Sequence, residues 1–161
     1  MTGIPIAPGE GIWDDGEWVS WDFLNGQIYE IDEGEMLERM ITMAREYLAL
    51  TGRHLPIYGE IGELYAARKF GIERHKEYAP GSDGRIGDLL VEIKTLTPMK
   101  ESDQVLVKRA GNFGAVALVK IGRDFRLEAK LIPRSALGKG EGKFMKVYWS
   151  VAYPDFKPSP W

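Results

Sequence analysis

The chain has 161 residues, a formal net charge of −3 and no cysteine, which is one domain's worth of sequence and excludes disulfide scaffolds, zinc knuckles and cysteine nucleophiles. No apolar run approaches the roughly 20 residues that span a bilayer, and the opening Met-Thr-Gly-Ile-Pro resembles no secretion signal, so a cytoplasmic protein without a membrane partner is expected. The small net charge hides a segregation: residues 1–38 hold ten acids and no Lys or Arg, whereas residues 85–146 hold thirteen basic against seven acidic residues, a field that can attract a polyanion.

Residues 1–11 read as an irregular lead-in. The β-prone runs 17–24 and 27–31 flank Asn25-Gly26, a pair that supplies the positive φ angles of a type I′ turn, so a β-hairpin is expected there. Trp13, Trp18 and Trp21 are read as its packing face, and residues 1–31 as an acidic, aromatic N-terminal extension. Asp32, with Glu35 three residues on, looks like a helix N-cap and capping-box acid. Met36, Met40, Met43 and Tyr47, with Leu37, Ile41 and Leu48 beside them, keep helical spacing and are read as core; Gly52 closes that helix. A second helix is expected from about Glu60 to Phe70, with Ile61, Leu64 and Tyr65 buried and Gly71 as its stop. His54 and His75 are too far apart to suggest a metal site and are read as surface residues.

Beyond residue 80 the pattern predicts a hairpin (82–95), a helix (about 101–110), a strand (115–121), a tight turn (122–124) and a strand (125–132). A glycine-rich loop (138–143), a last strand (144–150) and a Pro-rich tail (151–161) follow. Residues 32–150 therefore read as one α/β domain, a mixed central sheet flanked by helices, with the β-hairpin extension in front.

The hairpin carries the chemistry. Gly87-Asp88 fits a two-residue type II′ turn, and counting outward pairs Ile86 with Leu89, Arg85 with Leu90, Gly84 with Val91 and Asp83 with Glu92. One face then holds Ile86, Leu89, Val91 and Ile93, and the other Asp83, Arg85, Leu90, Glu92 and Lys94. Two carboxylates facing each other across a strand pair repel by up to roughly 1 kcal/mol, and a cation between them would relieve it. Hard oxygen donors point to Mg²⁺ or Mn²⁺. Asp88 is the alternate to Asp83, but residues four apart on one strand lie roughly 13 Å apart, too far to share one ion.

Asp83 followed by Glu92-Ile93-Lys94 resembles the PD-(D/E)xK, restriction-endonuclease-like nuclease superfamily, although Ser82 stands where the family's proline would. The stretch Gly59-Glu-Ile-Gly-Glu63 is similar to the preceding helix that brings a further acid, so the resemblance implies Glu63 in that role with Glu60 as alternate. From Glu35 to Ser135 the order of elements, ending in Ile132-Pro133-Arg134, is similar to one bacterial branch of the superfamily. The triplet alone is a weak signal: Glu128-Ala129-Lys130 is another, with no Asp across a hairpin and no helix acid before it, and is read as a solvated strand face.

The resemblance implies a Mg²⁺-dependent endonuclease that hydrolyses DNA phosphodiesters and leaves 5′-phosphate and 3′-hydroxyl ends. Asp83, Glu92, the Ile93 carbonyl and Glu63 would hold the metal, and Lys94 would orient or deprotonate the attacking water. Lys100, Gln104, Lys108 and Arg109, on or near the expected helix, are candidates for contacts to the DNA backbone. A symmetric cut of both strands would require a homodimer. The alternatives are a nucleic-acid-binding domain that does not cut and a protein-interaction domain on the same fold.

Overall fold

A computed structural model describes residues 11–14, 17–20, 32–76 and 81–159. The chain divides into two compact units, residues 1–36 and 37–161. In the first, strands β1 (Gly11–Asp14) and β2 (Glu17–Ser20) pair antiparallel, with Trp13 opposite Trp18 and Asp14 opposite Glu17. Strand β1 takes in Gly11, the last residue of the expected lead-in, and β2 takes in residues 17–20 of the expected hairpin, whose turn at Asn25-Gly26 and second strand 27–31 lie outside the described residues.

Helix α1 (Glu33–Thr51) starts where expected: the Asp32 carboxylate accepts the N–H groups of Gly34 (2.6 Å) and Glu35 (2.9 Å), which satisfies two of the orphan donors of a helix start. Its buried stripe is Leu37 and Ala44 with Met40, Ile41 and Leu48 packed beside them. Met36, Met43 and Tyr47, read as core from the sequence, are exposed. The buried face is centred on Leu37 and Ala44, which share a cluster with Tyr58 and Phe125, and not on the side that carries Met36 and Met43. Helix α2 (Tyr58–Phe70) ends at Gly71, whose left-handed conformation (φ 66°, ψ 37°) closes the last turn. His54 and His75 are half-buried rather than on the surface; His54 Nδ1 lies 2.6 Å from the Tyr58 hydroxyl.

The centre of the second unit is a mixed five-stranded sheet in the order β3 (Glu73–Arg74), β4 (Gly84–Ile86), β5 (Leu89–Leu96), β7 (Ala115–Ile121), β8 (Leu127–Pro133). The β4–β5 and β7–β8 pairs are antiparallel and β5–β7 is parallel. One face packs Val91, Ile93, Ala115, Ala117 and Val119 against Ala66 and Ala67 of α2. The other packs Leu96, Val116, Leu118 and Ile132 against a two-stranded ribbon of β6 (Gln104–Lys108) and β9 (Phe144–Tyr148). Covered on both faces, β7 is apolar almost throughout.

Strand β6 corrects the helix expected over residues 101–110. In Gln104-Val-Leu-Val-Lys108 the β-branched Val105 and Val107 point inward and Leu106 and Lys108 outward, a period of two. The pairing that stabilises it comes from β9, which no local pattern around residue 104 could reveal. The last strand is also shorter than expected, ending at Tyr148. Among the described residues no helix is long and apolar enough to cross a membrane.

Candidate functional site

The β4–β5 hairpin has the register its turn demands: Gly84 pairs with Val91, Arg85 with Leu90 and Ile86 with Leu89. Gly87 has positive φ (57°) and Asp88 does not, the type II′ pattern. The faces follow, with Ile86, Val91 and Ile93 buried and Asp83, Glu92 and Lys94 half-buried on the other side.

One residue beyond the paired stretch, Asp83 departs from simple opposition to Glu92. Its N–H donates to the Val91 carbonyl (3.0 Å), and its Oδ2 accepts the Ile93 N–H (2.6 Å). The carboxylate thus caps β5 where β4 has run out, flanking Glu92. The Ile93 carbonyl lies on that same edge, since the N–H and C=O of one strand residue point to one side. Leu90, of opposite parity, turns its carbonyl the other way, to the Gly114 N–H. Glu92 Oε1 is 2.5 Å from Lys94 Nζ, two residues along the same face.

Helix α2 brings its acids to this edge through a close approach. A Cβ on Gly62 would lie 1.9 Å from Thr95 Oγ1 of β5, so only glycine lets the helix settle there. Arg74 of β3 reaches both helix acids, 3.6 Å from Glu60 and 3.8 Å from Glu63. Burial pushes the Glu63 carboxyl above the ordinary carboxylate range; Asp83 and Glu60 add to that, while Arg74 and Lys94 oppose it. Glu63 therefore feels Asp83 and Lys94 directly, and its side chain is 36% exposed against 59% for Glu60. This favours Glu63 over its alternate as the site acid.

Asp83, Glu92 and Lys94 line a cleft of about 310 Å³ with Gly81, Ser82, Gly111 and three residues of the ribbon, Leu106, Lys108 and Phe144. Asp88 is exposed in the turn and does not line it. Of the expected backbone contacts, Lys108 reaches the cleft and Gln104 begins β6. Lys100 lines a different cleft, with Lys120 and Arg123. Arg109 is committed elsewhere: Nε donates to the Gly142 carbonyl and Nη1 to that of Lys139, each at 2.8 Å, fastening the glycine-rich loop. The arginine of Ile132-Pro133-Arg134 braces the same region, donating to the carbonyls of Arg109 (2.6 Å), Gly111 (2.6 Å) and Phe113 (3.1 Å).

The other strand triplet diverges. Glu128 is exposed on β8, while Lys130, expected on a solvated face, is half-buried and donates to the Trp149 carbonyl at 2.6 Å. Two further acid-x-Lys triplets, Glu141-Gly-Lys143 and Asp155-Phe-Lys157, start outside the strands. Sequence reasoning missed Arg74, Leu106 and Phe144. Arg74 has no local signal, but Met145-Lys146-Val147 sets a cation between two apolar residues, the period of two that puts Phe144 and Lys146 together on the outer face of a strand.

Among the described residues no three His, Cys, Asp or Glu side chains form a ready-made metal cage. Mg²⁺, however, is typically held by one or two protein carboxylates with water and substrate phosphate completing its shell. Asp83, Glu92 and the Ile93 carbonyl suit that mode by chemistry and by placement on one strand edge. No family model matches this chain, and no curated protein matches its sequence.

Proposed function

We propose that this chain is a Mg²⁺- or Mn²⁺-dependent endonuclease that hydrolyses DNA phosphodiesters on a core of the restriction-endonuclease-like kind. The observation that carries the reading is the convergence of Asp83, Glu92, Lys94 and Lys108 on one cleft, with Glu63 within electrostatic reach of Asp83 and Lys94. Asp83, Glu92 and the Ile93 carbonyl would hold the metal, and Glu63 would bind it directly or through water. Such an ion lowers the pKa of adjacent water and offsets charge that grows on the scissile phosphate.

The chain's own groups do the rest. Lys94 Nζ, held by Glu92, orients the attacking water towards phosphorus. Where Glu63 reaches the ion only through water, its carboxylate, which lies within electrostatic reach of Lys94, would accept a proton from the attacking water. Lys108 places its ammonium against a non-bridging phosphate oxygen. Water attacks phosphorus as it gives up a proton, the bond to the 3′ oxygen breaks, and that oxygen takes a proton from solvent water, so that 5′-phosphate and 3′-hydroxyl ends result.

A second reading, a nucleic-acid-binding domain that does not cut, is favoured by the direct Glu92–Lys94 pair, which occupies the carboxylate with an internal cation. Incubating the full chain with plasmid and with oligonucleotides in Mg²⁺, Mn²⁺ or EDTA separates the two. Cleavage that requires the divalent ion supports the nuclease; binding without cleavage in every condition supports the second reading.

A further inference from the structure

We infer that the substrate engages this cleft as an unpaired strand, with a base stacked on Phe144 and the neighbouring phosphates on Lys108, Lys143 and Lys146. The inference rests on the nuclease reading of the same cleft and adds its substrate class. In the β6–β9 ribbon, Val105, Val107, Met145 and Val147 face the core, which turns Leu106, Lys108, Phe144 and Lys146 outward. Across the pairing, Lys108 stands opposite Phe144 and Leu106 opposite Lys146. The outer face is therefore a small checkerboard of cations and apolar groups, with Phe144 41% and Leu106 51% exposed.

Single exposed apolar residues are ordinary. Here Phe144 and Leu106 instead line the same cleft as Asp83, Glu92 and Lys94. A duplex hides the flat faces of its bases and offers a phenyl ring nothing to stack on. An unpaired strand offers a π face at every base and a phosphate between successive bases, the combination that alternating aromatic and cationic side chains suit.

The platform is also held in place. Arg109 ties the 138–143 loop to the end of β6 through the Lys139 and Gly142 carbonyls, and the Arg109 N–H donates to the Lys143 carbonyl at 3.0 Å. Phe144 follows directly, and the Lys143 ammonium lies 5.8 Å from the centre of its ring. A cation thus sits beside the stacking surface, where a base resting on it would bring its own phosphate.

Fluorescence anisotropy with the full chain in EDTA tests this without cleavage, using labelled oligo(dT), oligo(rU) and a DNA duplex of equal length. We expect a single strand to bind at least about tenfold more tightly than the duplex, with the two homopolymers assigning the sugar. Phe144→Ala and Phe144→Leu should each weaken single-strand binding about tenfold, equivalent to about 1.4 kcal/mol and within the range of base–aromatic stacking. Phe144→Trp should retain it. Because the side chain faces outward, all three variants should fold, which circular dichroism checks. Duplex bound as tightly as the single strand, or full binding by Phe144→Leu, overturns the inference. Strand binding that depends on Phe144 but never leads to cleavage in Mg²⁺ or Mn²⁺ would sink the nuclease reading and leave this one standing. Divalent-dependent cleavage of duplex alone, indifferent to Phe144, would do the reverse.

Discussion

Two strands of one sheet carry the same kind of triplet, Glu92-Ile93-Lys94 on β5 and Glu128-Ala129-Lys130 on β8, and their surroundings differ in every respect that chemistry would need. On β5 the strand edge is capped by Asp83, faced by the acids of α2 and roofed by a cationic ribbon, so glutamate and lysine remain together at a cleft. On β8 the glutamate stands in solvent, and the lysine turns away to the Trp149 carbonyl and ring, 4.6 Å from the ring centre. The comparison teaches that acid-x-Lys acquires meaning from what the fold brings to the strand. At β5 this is an Asp nine residues earlier, a glycine that admits a helix, and a ribbon whose second strand comes from the far end of the chain.

The comparison can be broken first by removing what only β5 has. Asp83→Asn takes away one carboxylate charge and weakens the cap on the Ile93 N–H, and should weaken Mn²⁺ binding at least about tenfold in calorimetric titration. Asp88→Asn, in the exposed turn, should leave it unchanged. Loss of the ion in the second variant and not the first would place the site at the other end of the hairpin.

A smaller effect is expected from the helix approach. Gly62→Ala forces a Cβ into Thr95 and should cost about 1–3 kcal/mol in urea unfolding, with reduced cleavage as Glu63 shifts away. Gly59 lies on the same helix with open space around it, so Gly59→Ala should be neutral or stabilising by up to about 1 kcal/mol. Equal costs at both positions would mean that the Gly62–Thr95 contact has no special part in placing the helix.

The smallest effect concerns charge. Because the folded Glu63 carboxyl has a raised pKa, it binds its proton more tightly folded than unfolded. Its contribution to stability is present below the ordinary carboxylate pKa and is lost as pH rises through the raised folded value. In EDTA, Glu63→Gln should therefore melt above the parent chain at neutral pH, and the gap should close as pH falls below the carboxylate range. A gap that widens on acidification would contradict the burial and the Asp83 repulsion assigned to this group.

What could be read from the sequence was local. The Gly87-Asp88 turn and the alternation from Ile86 to Lys94 set the register and both faces of the hairpin. Asp32 and Gly71 marked the start of one helix and the end of the other. What could not be read depended on distant partners. Strand β6 exists because β9 pairs with it, and the short continuous apolar run Val105-Leu106-Val107 does not by its periodicity distinguish a strand from a buried helical segment. The buried stripe of α1 was set by its neighbours, which left Met36 and Met43 exposed. Asp83 was expected directly opposite Glu92, but the paired register ends at Gly84 and the Asp83 carboxylate accepts the Ile93 N–H instead, an arrangement that depends on where β4 stops and that pairing rules alone do not specify.

The central claim is that the β5 triplet, and not its double on β8, cuts phosphodiesters. It is tested most directly by the Mg²⁺-dependent cleavage rates of Glu92→Ala and Glu128→Ala measured side by side with the parent chain. We expect Glu92→Ala to lose about a hundredfold or more with its fold intact, and Glu128→Ala to cut at the parent rate. Cleavage at the parent rate by Glu92→Ala, or its loss in Glu128→Ala, would contradict the account.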